Sequence, residues 1–350
     1  MSSMDLIQDI HQNIFHWYQK NQRAHLPWRK TRDPYKILVS EVMLQQTQVD
    51  RVIPKYREFL RAFPSVKTLA EAKTGDVIRA WKGLGYNRRA LFLQKTAQAI
   101  VGEYGGKFPN DLEELKKLPG IGDYTARAVL SFAFKEPLPV LDTNHRRFYQ
   151  RVFFGMREKS DAQLLKKAEE VVKGINNIDP SLHRGGRGRG VNAVRQSPVN
   201  APSRSLMLQA CPQWHPLLAS PYEGEDPSLF VFDVYHWNQA LMDFGSLICT
   251  AKNPKCAECP IQKWCRAYPV ILRKSEKARK RESQNVIPFL KTDRYVRGRI
   301  IDALREKQKV SLAVLRKNFP HITDDRYERI VVHLEKDGLI ARRGSDILLP

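Results

Sequence analysis

The chain's 350 residues carry 59 Lys and Arg against 37 Asp and Glu, a formal charge of +22. Such a surplus points to a polyanionic partner, nucleic acid being the commonest, although charge alone does not separate DNA from RNA or an anionic membrane. No stretch reaches the roughly 18 consecutive apolar residues of a membrane-spanning helix, which excludes a helical membrane protein, and the length suffices for two or three units with a buried core.

The amphipathic start, residues 1 to 20, has acidic residues early and no signal-peptide core, so a cytoplasmic location with reduced thiols is expected. Residues 5 to 20 predict a helix with Leu6, Ile10, Phe15 and Trp17 near one face. His25 to Arg29 reads as a short extended segment in which Trp28 is either core or part of a site. Pro34 stands where a helix opens, and the run that follows sets Glu41 among Val39, Val42, Met43 and Leu44. A carboxylate in that company lies on an exposed stripe or is buried for a reason. The adjacent amides Gln45 and Gln46 need hydrogen-bond partners in so apolar a helix.

Short helices are predicted at Pro64 to Ala72, Thr74 to Gly83 and Asn87 to Tyr104. The turn Gly83-Leu84-Gly85-Tyr86-Asn87-Arg88-Arg89 is either a plain connection with solvated charges or a tip that enters a groove. In the second case Tyr86 wedges between bases and the two arginines sit on phosphates. Leu118-Pro119-Gly120-Ile121-Gly122 is a tight turn, and the helical run Tyr124 to Phe134 follows it. Gly120 and Gly122 bare backbone N–H groups where a helix begins, which suits a phosphate oxygen as well as an ordinary helix–helix turn. Pro137 and Pro139 break the chain, and a lone carboxylate, Asp142, comes next on Leu141 to Asn144.

A basic helix, His145 to Phe153, and an amphipathic one, Asp161 to Lys173, lead into residues 178 to 228. That stretch is rich in Pro, Gly, Ser and Arg without periodicity and reads as a disordered insertion. A helix predicted over Phe230 to Leu247 runs into Cys249, Cys256, Cys259 and Cys265, with Pro254 and Pro260 shaping the loops. Four thiols so spaced are a ligand set for zinc or for iron–sulfur, whereas Cys211 in the insertion is a spare thiol. Beyond a Lys-, Arg- and Glu-rich linker, helices at Tyr295 to Arg305, Ser311 to Asn318 and Asp324 to Asp337, and a hairpin over 338 to 349, suggest a winged-helix-like domain.

Leu26-Pro27-Trp28-Arg29, the Val39 to Val49 run, Gly83 to Tyr86, Leu118 to Ala126, Leu141 to Asn144 and Asn238 to Gly245 together resemble one family. It is that of the A/G-specific, MutY-type adenine DNA glycosylases of the helix-hairpin-helix superfamily, over about residues 5–177 and 230–268. The resemblance implies an all-α, two-lobed helix-hairpin-helix fold. Residues 1–30 and 140–268 would form a cluster lobe, 31–139 the hairpin lobe, 269–292 a linker and 293–350 the winged-helix-like domain. It implies a [4Fe–4S] cluster on Cys249, Cys256, Cys259 and Cys265, because the spacing matches the family's loop and not paired zinc knuckles. The implied reaction is monofunctional hydrolysis of the N-glycosidic bond of adenine opposite guanine or 8-oxoguanine. The implied partner is double-stranded DNA with a mismatched or oxidised pair, bound by a monomer.

By the same resemblance Glu41, with a raised pKa, protonates the purine at N7 while ionised Asp142 stabilises the sugar cation, positioned by Asn144. Trp28, Arg29 and Gln239 line the adenine pocket, Tyr86 and Gln46 wedge the stack, Arg88 meets backbone, and Gly120 and Gly122 grip phosphate. Tyr124 supports the sugar and fills the slot where bifunctional relatives keep a Schiff-base lysine. The chain departs from the family pattern at Thr143, usually glycine, at Asn87, usually aromatic, and in lacking a Nudix-like C-terminal domain. A thymine or uracil mismatch glycosylase of the same fold, and a catalytically silent DNA-binding protein, are the competing expectations.

Overall fold

The computed structural model describes residues 3–175, 232–272, 289, 292–307 and 309–350, so the 178–228 insertion and most of the linker lie outside the described residues. The chain divides into two compact units, one of Met1–Ala24 with Thr143–Tyr268, the other of His25–Asp142 with Pro269–Pro350.

In the first unit, α1 (Ser3–Asn21) and α9 (Thr143–Tyr149) pack against α11 (Val234–Leu247). Phe148 on α9 stands edge-on to Trp237 and Phe244 of α11 at 5.7 and 6.0 Å, the arrangement ring quadrupoles favour. Asp243, buried on α11, accepts from the Arg23 backbone N–H at 3.1 Å and from its Nε at 2.5 Å, closing the end of α1 onto that core. The basic helix expected to reach Phe153 ends at Tyr149 and continues as a π-helical turn, Gln150–Phe154. Ser160 and Gln163 form a capping box that starts α10 (Asp161–Lys173).

In the second unit, Asp33 caps α2 (Pro34–Leu44) by accepting from the N–H groups of Tyr35 and Lys36, and Pro34 opens it. The helix is buried almost from end to end, Tyr35 and Ile37 to Met43 included. It is followed by α3 (Val49–Ala62), α4 (Val66–Glu71), α5 (Thr74–Ala80) and α6 (Arg88–Tyr104). The hairpin is α7 (Leu112–Lys117) and α8 (Asp123–Ala133), and α8 packs on α2.

The C-terminal segment has the expected helices as α12 (Asp293–Glu306), α13 (Leu312–Arg316) and α14 (Asp324–Lys336). Its hairpin, β2 (Ala341–Arg343) and β3 (Asp346–Leu348), gains a strand the sequence did not suggest, β1 (Lys309–Ser311), in an antiparallel sheet of order β1-β3-β2. The expected separate domain is corrected by its packing: Ile300, Ile301, Leu304 and Leu339 share one core with Ile78 of α5 and Leu91 of α6. Arg305 donates to the Ile78 carbonyl at 3.1 and 2.9 Å, satisfying the open end of α5.

Candidate active site

Glu41 is 5% exposed in the middle of α2, so the alternative of an exposed stripe is ruled out. The α2–α8 packing carries Tyr124 to it, and the Tyr124 hydroxyl donates to Glu41 Oε2 at 2.5 Å. Asp142, half-buried just before α9, is near enough for its charge to act on both groups. Burial raises the Glu41 carboxyl to about 7, against the Tyr124 hydrogen bond, which lowers it, and with the Asp142 charge, which adds to the rise. Burial foremost, with the Glu41 and Asp142 charges, lifts the Tyr124 phenol well above its ordinary range, so it stays a neutral donor. Tyr124 therefore meets the acid directly, a contact the sequence did not suggest. Trp28 and Arg29 are buried on a 3₁₀ turn, Pro27–Lys30, against α2, with Trp28 edge-on to Tyr56 at 5.6 Å.

Gln45 and Gln46, expected inside the apolar helix, fall just past its end. Gln46 (φ 54°) and Tyr86 (φ 47°) are two of the three non-glycine residues at positive φ among the described residues. A side chain held there costs of order 1–3 kcal/mol and persists only where the surroundings enforce it. Arg89 is what enforces it. It donates to the carbonyls of Val42, Met43 and Gln45 at 2.7, 3.0 and 2.5 Å, to those of Leu84 and Gly85 at 3.0 and 3.1 Å, and to the Thr47 hydroxyl at 3.1 Å. One guanidinium thus caps α2 and ties it to the Gly83–Tyr86 turn. The expectation of Arg89 on phosphate is corrected, since both of its terminal nitrogens are engaged by the fold and its Nε is buried. Arg88, half on the Phe92 ring, lies 3.6 Å from Asp337. Asn87 accepts from Arg305 at 3.0 Å, which accounts for an amide where the family pattern has an aromatic.

At the hairpin, Gly120 has φ +80° and a Cβ there would stand 2.7 Å from Phe92 Cβ, so glycine is required. Thr96 Oγ1 donates to the Pro119 carbonyl at 2.6 Å and holds the turn on α6. Around Gly122, the N-cap of α8, there is open space.

In the first unit, Asn144 Oδ1 accepts from Arg147 Nη2 at 2.7 Å, and the same nitrogen donates to the Gly245 carbonyl at 2.7 Å. A Cβ on Gly245 would be 2.5 Å from Asn144 Cβ, which explains a glycine inside α11. Gln239 is buried on that helix. Arg147 also donates to the Cys249 carbonyl at 2.5 Å, coupling Asn144 to the start of the cysteine loop.

Cys249, Cys256, Cys259 and Cys265 are free, partly buried thiols. Burial, then the charges of the other three, push the Cys259 thiol up to about 12, while the Ile261 backbone N–H favours its thiolate. Arg151 Nη1 lies 3.5 Å from Cys249 Sγ, and backbone bonds from Arg266 and Ala267 to Val152 and Arg151 pin the loop to the π-helical turn. Among the described residues no three His, Cys, Asp or Glu side chains are drawn together as a ready metal site. The fit rests on the donor set: four neighbouring thiols, of which Cys256, Cys259 and Cys265 are pushed up by burial, with backbone N–H groups at the Cys259 and Cys265 sulfurs, suit a cationic iron–sulfur centre.

Residues 39–174 match the HhH-GPD superfamily of base excision DNA repair proteins, and residues 249–265 match the iron–sulfur binding domain of endonuclease III. The adenine DNA glycosylase of Mycobacterium tuberculosis (strain H37Rv) is 34% identical over 333 residues, 94% of this chain and 90% of its own length. That of Buchnera aphidicola subsp. Baizongia pistaciae is 34% identical over 74% of this chain, which spans only 58% of that relative. A thymine/uracil-DNA glycosylase of Pyrobaculum aerophilum is 32% identical over 71% of this chain and 86% of its own length. Among solved structures, a thermostable thymine-DNA glycosylase superposes with a TM-score of 0.56 at 24% identity, covering 76% of this chain and 98% of that one. Endonuclease III in a non-covalent DNA complex gives 0.53 at 19%, over 78% and 100%. The two solved structures speak for the helix-hairpin-helix fold, and the full-length similarity for the branch. The chain belongs to the adenine DNA glycosylase family of the HhH-GPD superfamily of base excision repair proteins and carries its iron–sulfur loop.

Proposed function

We propose that this chain excises adenine mispaired with guanine or 8-oxoguanine from duplex DNA, by hydrolysis of the N-glycosidic bond without a lyase step. The observation that carries this is a carboxyl raised to about 7, Glu41, beside a second carboxylate, Asp142. An acid that burial keeps protonated, beside a second carboxyl group, can supply a proton and a negative charge to one site. Adenine is a poor leaving anion, so a proton from Glu41 at N7 neutralises it as the bond breaks. Asp142 holds the positive charge that grows on the sugar, and water, deprotonated by the Glu41 carboxylate, completes the hydrolysis. Tyr124 orients the acid and offers no amine, so no Schiff base forms. Trp28, Arg29 and Gln239 are assigned to the base pocket, Gln46 and Tyr86 to the gap the base leaves, and the Gly120–Gly122 hairpin, with Arg88, to phosphate.

The relative named thymine/uracil-DNA glycosylase motivates the second reading. A pyrimidine needs no proton at N7, so Glu41 would then have no such task. The test is strand cleavage after hot alkali on duplexes carrying A:8-oxoguanine, A:G, T:G, U:G and undamaged pairs. Cleavage of the two adenine duplexes alone is expected. Cleavage confined to T:G and U:G would replace the adenine reading.

A further inference from the structure

One residue of the first unit touches both ends of the cysteine loop. Arg151 stands on the π-helical turn Gln150–Phe154, a rare form found mostly as single turns and often at functional sites. Its Nη1 donates toward Cys249 Sγ at 3.5 Å and to the Thr250 carbonyl at 2.7 Å, while Nη2 donates to the Ala251 carbonyl at 2.9 Å. Its own carbonyl accepts from the Ala267 N–H at 2.9 Å and from the Cys265 thiol at 3.5 Å. Cys249 and Cys265 are the first and last thiols of the set, so a single residue gathers the two ends of the loop. The turn itself is braced by Gln150, whose Nε2 donates to the Gly155 carbonyl at 3.3 Å and whose Oε1 accepts from the Lys159 N–H at 3.0 Å.

The Cys249 end is the part of the loop that needs holding. Six residues separate Cys249 from Cys256, the widest gap in the set, and Thr250 and Ala251 open that gap. Fixing such a segment before metal binds takes its ordering cost out of the binding step. A guanidinium suits the task because its planar fork reaches a sulfur and two carbonyls at once. Its charge also lies beside a sulfur that must be a thiolate to ligate a metal. We propose that Arg151 is a positioning residue for the iron–sulfur centre, presetting the Cys249 end of the loop and offsetting the charge of that thiolate. How firmly iron is kept then depends on this side chain. The inference stands on the cysteine loop and is independent of which base is removed.

The test uses the full chain, purified anaerobically with its iron. Iron release to a chelator and loss of the visible thiolate–iron band are followed well below the melting transition, and Tm is recorded for each iron-loaded variant. R151Q removes both charge and fork, R151K keeps the charge without the fork, and R266A removes a cation from an exposed position next to Cys265. R151Q is expected to release iron about tenfold to a hundredfold faster than wild type, the scale of removing a group that orients a metal ligand. R151K should fall between the two, R266A should match wild type, and Tm should stay near the wild-type value throughout. The proposal is overturned if R151Q or R151K keeps iron as wild type does, or if R266A loses it as fast as R151Q. A lowered Tm that accounts for the faster release would assign Arg151 to the fold and overturn the proposal as well. R151K alone decides the matter if R151Q does not fold.

Discussion

Replacing Tyr124 with phenylalanine tests the acid assignment without removing the acid. Glu41 must be protonated when the base departs, and its carboxyl is raised to about 7, so excision should decline as pH rises through that region. The Tyr124 hydroxyl donates to the ionised carboxylate at 2.5 Å and pulls against the rise that burial causes. Its loss removes a stabiliser of the charged form only. A hydrogen bond to a charged group contributes about 1.5–3 kcal/mol, and 1.36 kcal/mol corresponds to one pH unit, so the alkaline limb should move up by roughly one to two pH units. Single-turnover rates with enzyme in excess report the bound complex and keep DNA association out of the profile. A limb that stays in place, or moves toward acid, would refute the claim that Glu41 is the proton donor and Tyr124 its partner.

Asp142→Asn keeps shape and removes charge, so duplex binding should persist while single-turnover excision falls at least about a hundredfold; a smaller loss would deny Asp142 its role at the sugar. Glu41→Gln should abolish adenine release and also change stability with pH. The folded carboxyl holds a proton between 4.5 and about 7 that the unfolded one has lost, so Glu41 costs stability progressively over that window, on the order of 3 kcal/mol above it. The amide does not titrate, and denaturant melts should show the variant gaining on wild type at pH 8 but not near pH 4.5. Arg89→Ala leaves five carbonyls and a hydroxyl without their shared donor and should lower stability by at least about 2 kcal/mol, although no DNA contact is assigned to it. Purified anaerobically, the chain should be brown with about four irons, and Cys259→Ser should lose iron, measured by metal analysis, while stoichiometric zinc would contradict the cluster.

Local chemistry made much of this protein legible in its residues. Pro34 and the Asp33 carboxylate start α2 by themselves, Gly120 permits the left-handed turn of the hairpin, and four cysteines at fixed spacing declare a ligand loop whatever surrounds them. What the chain order could not reveal is whatever depends on distant segments meeting. Glu41 is 83 positions from Tyr124, and only the packing of α8 on α2 turns a carboxylate in an apolar run into a buried acid with a donor. Arg88 and Arg89 are neighbours of one type, yet burial sends the second into six hydrogen bonds of the fold. Asn87 reads as a departure from a motif until Arg305, 218 positions away, is seen to bond it. The C-terminal segment looked independent because its apolar pattern closes on itself, but Ile78 and Leu91 complete its core. Periodicity and turn chemistry act over a few residues, whereas a pKa, a strained wedge or a shared core is set by which surfaces exclude water together, and that only tertiary packing decides.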